Sequence, residues 1–265
     1  MSGNIKRGRL RALREYGVNM VALSILTGLF AGAVVTIYNI LTAIGEERSA
    51  QLYQIIVENP AFIPLLFVGL AAGAFVIGTA TRFVPMIRGS GVPQAEGAAR
   101  GLLHFRWYTV MCSMFAASLA CVFMGLPAGS EGPSLEMGCC AGYGTASTLK
   151  RSLTVRRLQV AAGASSGLAA AFNAPVTGLI FAMEEAFRSF SAQVFTCSAV
   201  SVAVSLTVRN LMRAAMGFPT GFTFTTFSFT ALEPAGYLCT AIAALAAGLL
   251  GVAFYHLMLI ARKGF

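Results

Sequence analysis

Three short stretches carry residue types that could do chemistry. The first is Gly89-Ser90-Gly91-Val92-Pro93. Gly permits a tight backbone path, and Pro suits the first turn of a helix. A helix that begins there exposes unpaired N–H groups and the positive end of its dipole, and Ser90 adds a hydroxyl donor at the same spot. Such a place suits a desolvated halide without the full positive charge that would trap it. The same letters also spell a plain Gly-Ser-Gly turn ahead of a Pro-started helix. The second stretch is Gly129-Ser130-Glu131-Gly132-Pro133, another Gly/Pro-marked helix start with a carboxylate at its head. Glu131 either complements the helix dipole or acts as a gate that occupies an anion site and swings away once protonated. The third runs from Gly167 to Gly178 through Asn173-Ala174-Pro175 and on to Glu184-Glu185. Its small residues allow close helix contact, and its Asn-Ala-Pro breaks the helix. The two carboxylates read either as interfacial charges or as a proton relay.

The composition says what must hold these stretches. Of 265 residues, 57% are hydrophobic and only 11% charged, yet the net charge is +9. Soluble domains carry about 25% charged residues. An ordinary soluble enzyme, a disordered chain and a nucleic-acid-binding module are excluded, and the bilayer is the solvent. All 10 acidic residues are Glu, HExxH is absent, and neither His104 nor His256 sits beside a nucleophile pattern, which argues against an intramembrane enzyme. Cys139-Cys140 lacks partners at ligand spacing, so no metal is assigned, and no cofactor pattern is present.

Charge-free runs at Tyr16–Gly45, Asn59–Thr81, Trp107–Ser130, Leu158–Met183, Ser189–Val208 and Pro234–Ala261 predict membrane segments. The stretches Gly89–Gly97, Gly129–Gly138 and Phe172–Pro175 predict helices that start or break inside the membrane. Gly217–Thr230 reads as an interfacial connector. The fold class is therefore an all-α polytopic membrane protein with broken and re-entrant helices. The basic segment before Tyr16 places the N-terminus in the cytoplasm, and the resulting topology puts all but Arg48, Arg209 and Arg213 of the 19 basic residues on that side.

Together and in this order the three motifs resemble those of the CLC family of chloride channels and proton-coupled chloride transporters. The family reads GSGIP, G(K/R)EGP and GLAAAFNAPLAG…EE where this sequence has GSGVP, GSEGP and GLAAAFNAPVTGLIFAMEE. The resemblance implies chloride and protons as substrate ions. It implies an anion site at Ser90, Gly91, Val92, Glu131, Gly132 and Pro133. Glu131 would be the gating glutamate, and Glu131 and Glu185 would transfer protons. Ser90 fits chloride rather than the nitrate-preferring or fluoride-selective branches. Ser130 departs from the family's basic residue beside the gate, which is expected to weaken anion attraction at the outer mouth.

CLC subunits are built from two inverted halves and pair as homodimers, so the resemblance also implies an organisation. Residues 1–16 would be a basic cytoplasmic segment, 17–213 the first transmembrane repeat, 214–233 a connector and 234–265 the first helix of a second repeat. The family's GxFxP helix start and pore Tyr have no counterpart in the chain, so a missing C-terminal half or a partner chain is expected to complete the pore. Proton-coupled chloride antiport is the leading expectation. The alternatives are a passive, voltage-gated type of chloride channel, and a truncated, transport-inactive fragment or assembly subunit.

Overall fold

A computed structural model describes the backbone of residues 2–126, 129–181, 183–184, 191–221 and 234–263. The described residues form helices joined by turns: α1 (Ser2–Glu58), α2 (Ile63–Phe83), α3 (Val92–Ala99), α4 (Trp107–Phe123), α5 (Glu131–Thr148), α6 (Leu153–Phe172), α7 (Pro175–Phe181), α8 (Ala192–Ala215) and α9 (Pro234–Lys263). Two compact units divide the chain, residues 1–223 and 224–265. The second contains α9, whose described side chains from Tyr237 to Ile260 are largely exposed and apolar. Among the described residues, four helical stretches are long and apolar enough to cross a membrane: Gly17–Glu58, Pro60–Phe83, Ala192–Ala215 and Gly236–Ala261.

The helix ends follow local chemistry. α1 continues through Glu46-Glu47-Arg48, where the charge pattern predicts an exit, because charges do not break a helix; it stops at the Asn59-Pro60 step, as the residue before Pro disfavours helix. α4 ends at Phe123, short of the Ser130 expected from the charge-free run. Gly125 at φ 75° closes it, with its N–H on the Val122 carbonyl at 2.8 Å and the Leu126 N–H on the Cys121 carbonyl at 3.0 Å. At 17 residues this helix is about 26 Å long, less than the roughly 30 Å of a hydrocarbon core. α6 begins on a Ser152 cap that accepts from the Val155 N–H and ends where Asn173 turns left-handed at φ 56°. Pro175 then starts α7, so the break expected at Asn173-Ala174-Pro175 is present. The connector expected from Gly217 lies outside the described residues from 222 onward.

α5 and α6 form the most extensive helix pair and the centre of the first unit. The pairing is a reciprocal small-residue seam: Gly138 and Gly142 on α5 meet Gly163 and Gly167 on α6. A Cβ on Gly138 would overlap the Gly163 carbonyl oxygen, and one on Gly163 the Gly138 carbonyl oxygen. The backbones touch, and only glycine fits.

A buried polar chain ties α1 to this pair. Thr27 Oγ1 donates to Gln159 Oε1 at 2.9 Å and lies 2.8 Å from Thr145 Oγ1, while Gln159 Nε2 donates to Ser24 Oγ at 3.1 Å. Interhelical hydrogen bonds in membrane proteins average about 0.6 kcal/mol and reach roughly 1.7. Gln159→Leu removes two of them and is expected to lower stability by about 1–2 kcal/mol. A thermal unfolding scan of the detergent-purified variant reads this directly; an unchanged midpoint would mean that the network carries no stability.

Candidate functional site

The first motif is a turn that only glycine can make on both sides of its serine. Gly89 and Gly91 sit at φ 88° and 83°, the left-handed region, and flank Ser90. Gln94, in the first turn of α3, donates its Nε2 to the Arg88 carbonyl and holds the turn closed. Ser90 is thereby presented in a fixed position at the head of an eight-residue helix.

The second motif meets the first. Gly132 lies so close to Ser90 that a Cβ there would overlap the Ser90 carbonyl oxygen. Reciprocally, a Cβ on Gly91 would come 2.7 Å from the Gly132 carbonyl oxygen. The first turns of α3 and α5 therefore abut, although about 40 residues separate them in sequence. Beside this junction lies a cavity of about 380 Å³ lined by Ser90, Gly89, Gly129, Glu131, Gly132 and Pro133, with Met114, Ala117, Ser118 and Cys121 of α4 as its wall. Ser90 and the start of α5, whose first N–H groups have no intrahelical partner, line the cavity together. Pro133 has no N–H and adds only its ring. Glu131 stands in the lining with its carboxylate turned back beside Gly129. A helix start, a serine and one carboxylate thus share one cavity, groups of the kind that can meet an anion.

Not every residue named from the sequence faces this cavity. Gly91 is buried behind the turn, and Val92 packs on the core of Ala95, Leu135 and Val160. The third motif does not line the cavity either; it positions α5 through the glycine seam, and Asn173 Nδ2 donates to the Gly221 carbonyl at 3.1 Å. Glu184 is exposed, and Glu185 lies outside the described residues.

Residues 72–265 match the family described as "Voltage gated chloride channel". The chain belongs to that family. Among its relatives, the H(+)/Cl(-) exchange transporter ClcA of Vibrio cholerae is 33% identical over 190 residues, covering 69% of this chain and 40% of the relative. The transporter of the same name from Vibrio parahaemolyticus is 28% identical over 253 residues, covering 93% of this chain and 53% of the relative. A solved structure, described as a slow cyanobacterial Cl−/H+ antiporter, superposes with a TM-score of 0.72 at 26% identity, covering 89% of this chain and 55% of that one. The chain thus spans about half or less of the length of these CLC proteins. It is an integral membrane protein with several spans, as they are.

Two features of this CLC chain escaped the sequence reading. A second cavity, of about 270 Å³, brings Ser130 together with Arg209 and Arg213 of α8 and Glu46 of α1. Arg209 is only 3% exposed; its Nη1 donates to Asn210 Oδ1 at 3.0 Å, and Arg213 Nε donates to the Pro219 carbonyl at 2.7 Å. Neither arginine forms an ion pair with Glu46 among the described residues. The positive charge that Ser130 lacks is thus present in the same cavity, delivered from another helix. Arg48, Arg209 and Arg213 read from the sequence only as topology markers, and nothing local to residue 209 signals its burial. The second feature is Glu136, five residues beyond Glu131, which is 1% exposed inside the α5 core. Its signal was available: a second carboxylate in a small-residue helix whose other charge is Glu131 at its head.

Proposed function

We propose that the chain supplies one half of a chloride pathway and works in proton-coupled chloride antiport. The observation that carries this reading is the abutment of the Ser90 turn and the α5 start beside one cavity, with Glu131 in its lining. Backbone dipoles there stabilise a dehydrated chloride without binding it too tightly to leave. Glu131 competes with the anion as a carboxylate and yields the place as a neutral acid, which links anion entry to proton uptake. The chloride and proton in the names of the Vibrio relatives support the choice of ions.

In this reading the N-terminus is cytoplasmic and Arg209, Arg213 and Ser130 form the outer mouth. The sharing of one cavity by Glu46, Ser130, Arg209 and Arg213 supports that sidedness, since the charge pattern assigns all four to the same face. A second half, from a longer natural chain or a partner, completes the ion's coordination, and the assembly is a homodimer. The chain is a transporter and not an enzyme.

In liposomes, the chain joined to a family second half is expected to drive protons uphill when a chloride gradient is imposed. Glu185→Gln is expected to abolish the proton movement while chloride flux continues. Chloride flux without proton movement in the parent protein would replace antiport with a passive channel. No flux of either ion would leave the inactive-fragment reading in its place.

A further inference from the structure

We propose that Glu136 is a proton-binding carboxylate coupled to the anion site, holding its proton while an anion occupies the cavity beside Ser90 and losing affinity for it when the anion leaves. This rests on the reading of that cavity as an anion site. Glu136 is 1% exposed, and neither carboxylate oxygen has a hydrogen-bond partner among the described residues. It lies directly behind the turn: a Cβ on Gly91 would meet Glu136 Oε2 at 3.0 Å and Glu136 Cβ at 3.1 Å. The backbone that presents Ser90 therefore rests on this carboxyl group.

Among the described residues no ion pair reaches Glu136, and Arg88, on the Ser90 turn itself, is exposed. α1 between residues 17 and 45 and the whole of α4 contain no charged residue. On α3, Glu96 and Arg100 pair with each other. On α6, Arg156 donates to Tyr143 Oη at 3.2 Å and Arg157 to the Ala99 carbonyl at 3.0 Å. On α5 itself the other titratable groups are Glu131, the thiols of Cys139 and Cys140, and Tyr143. An ionised carboxylate without donors or a counter-charge is strongly disfavoured at such a position, so the neutral acid is the resting form. A halide on the far side of the Ser90–Gly91 backbone adds negative charge nearby and favours the neutral acid further. By linkage the proton must favour the halide to the same degree. A carboxylate serving only as a structural cap for α3 would instead stay ionised with and without the anion.

The test is infrared titration of the full chain in lipid nanodiscs, with and without chloride, beside a measurement of chloride binding from chloride NMR linewidths. A protonated-carboxyl band is expected that Glu136→Gln removes and Glu131→Gln leaves. In the wild type, chloride should move the titration of that band to higher pH by about one unit, a tenfold coupling within the usual range for linked sites. This arm needs no variant to fold. Survival of the band in Glu136→Gln, or an identical titration in both media while chloride binds, overturns the role of Glu136 and leaves the anion site standing. Absence of chloride binding in the wild type overturns the anion site, and the coupling with it.

Discussion

Gly163→Val is expected to unfasten α5 from α6 and to dismantle the cavity that α5 lines. The added Cβ would fall on the Gly138 carbonyl oxygen and within 2.9 Å of the Gly142 nitrogen. Both neighbours are backbone, so no side chain can rotate away and one helix must move as a body. Overpacking a close-packed interior costs typically 1–3 kcal/mol, occasionally more, and a rigid backbone neighbour places this case at or above about 3. Gly78→Val provides the contrast, because nothing lies within 4 Å of a Cβ at that position on α2. In fluorescence-detected size-exclusion and thermal scans, Gly163→Val should aggregate or melt far below the parent, and Gly78→Val should behave as the parent does. Equal behaviour of the two variants would mean that the seam is not tightly closed.

The sequence disclosed those parts of the fold that local chemistry decides. Asn173-Ala174-Pro175 breaks a helix by its own conformational preferences, and the break between α6 and α7 stands where these residues put it. The helix start at Glu131 was legible for the same reason. What charge counting missed was any boundary set by one residue's geometry. The run from Trp107 to Ser130 is free of charge throughout, yet Gly125 ends α4 at Phe123, seven residues short of the run's end. Conversely, Glu46-Glu47-Arg48 ends the charge-free run but not the helix, and α1 continues through it to Glu58.

At the site, residue types were legible and their facing was not. Ser90, Glu131 and Gly132 are named by their motifs, but the burial of Gly91 follows from α5 lying against it, a contact between segments remote in sequence. Arg209 and Glu136 are the clearer cases. Each is an ionisable residue whose role depends on what surrounds it: for Arg209 the cavity shared with Ser130, and for Glu136 the back of the Ser90 turn. Periodicity and charge patterns record the helix that bears such a residue and say nothing of the partner that covers it.

Gly132→Ala isolates the junction between the two motifs, because it changes no charge and removes no donor. A methyl group at residue 132 would occupy the place of the Ser90 carbonyl oxygen, so the turn carrying Ser90 must withdraw from the start of α5. The Ser90 hydroxyl and the α5 N–H groups then no longer converge. A hydrogen bond to a charged partner contributes about 1.5–3 kcal/mol, so losing one of them should weaken chloride binding by roughly ten- to a hundredfold. The overlap falls on the Ser90 turn and not on the α5–α6 seam, and Ala is the better helix former by about 1 kcal/mol, so the pairing of α5 with α6 should survive. Gly78→Ala is the matched control: nothing lies within 4 Å of a Cβ at that position on α2, and chloride affinity should hold. Isothermal titration with chloride on both purified variants separates the outcomes. Wild-type affinity in Gly132→Ala would show that Ser90 and α5 do not act on one ion, and the abutment of the two turns would then be packing alone.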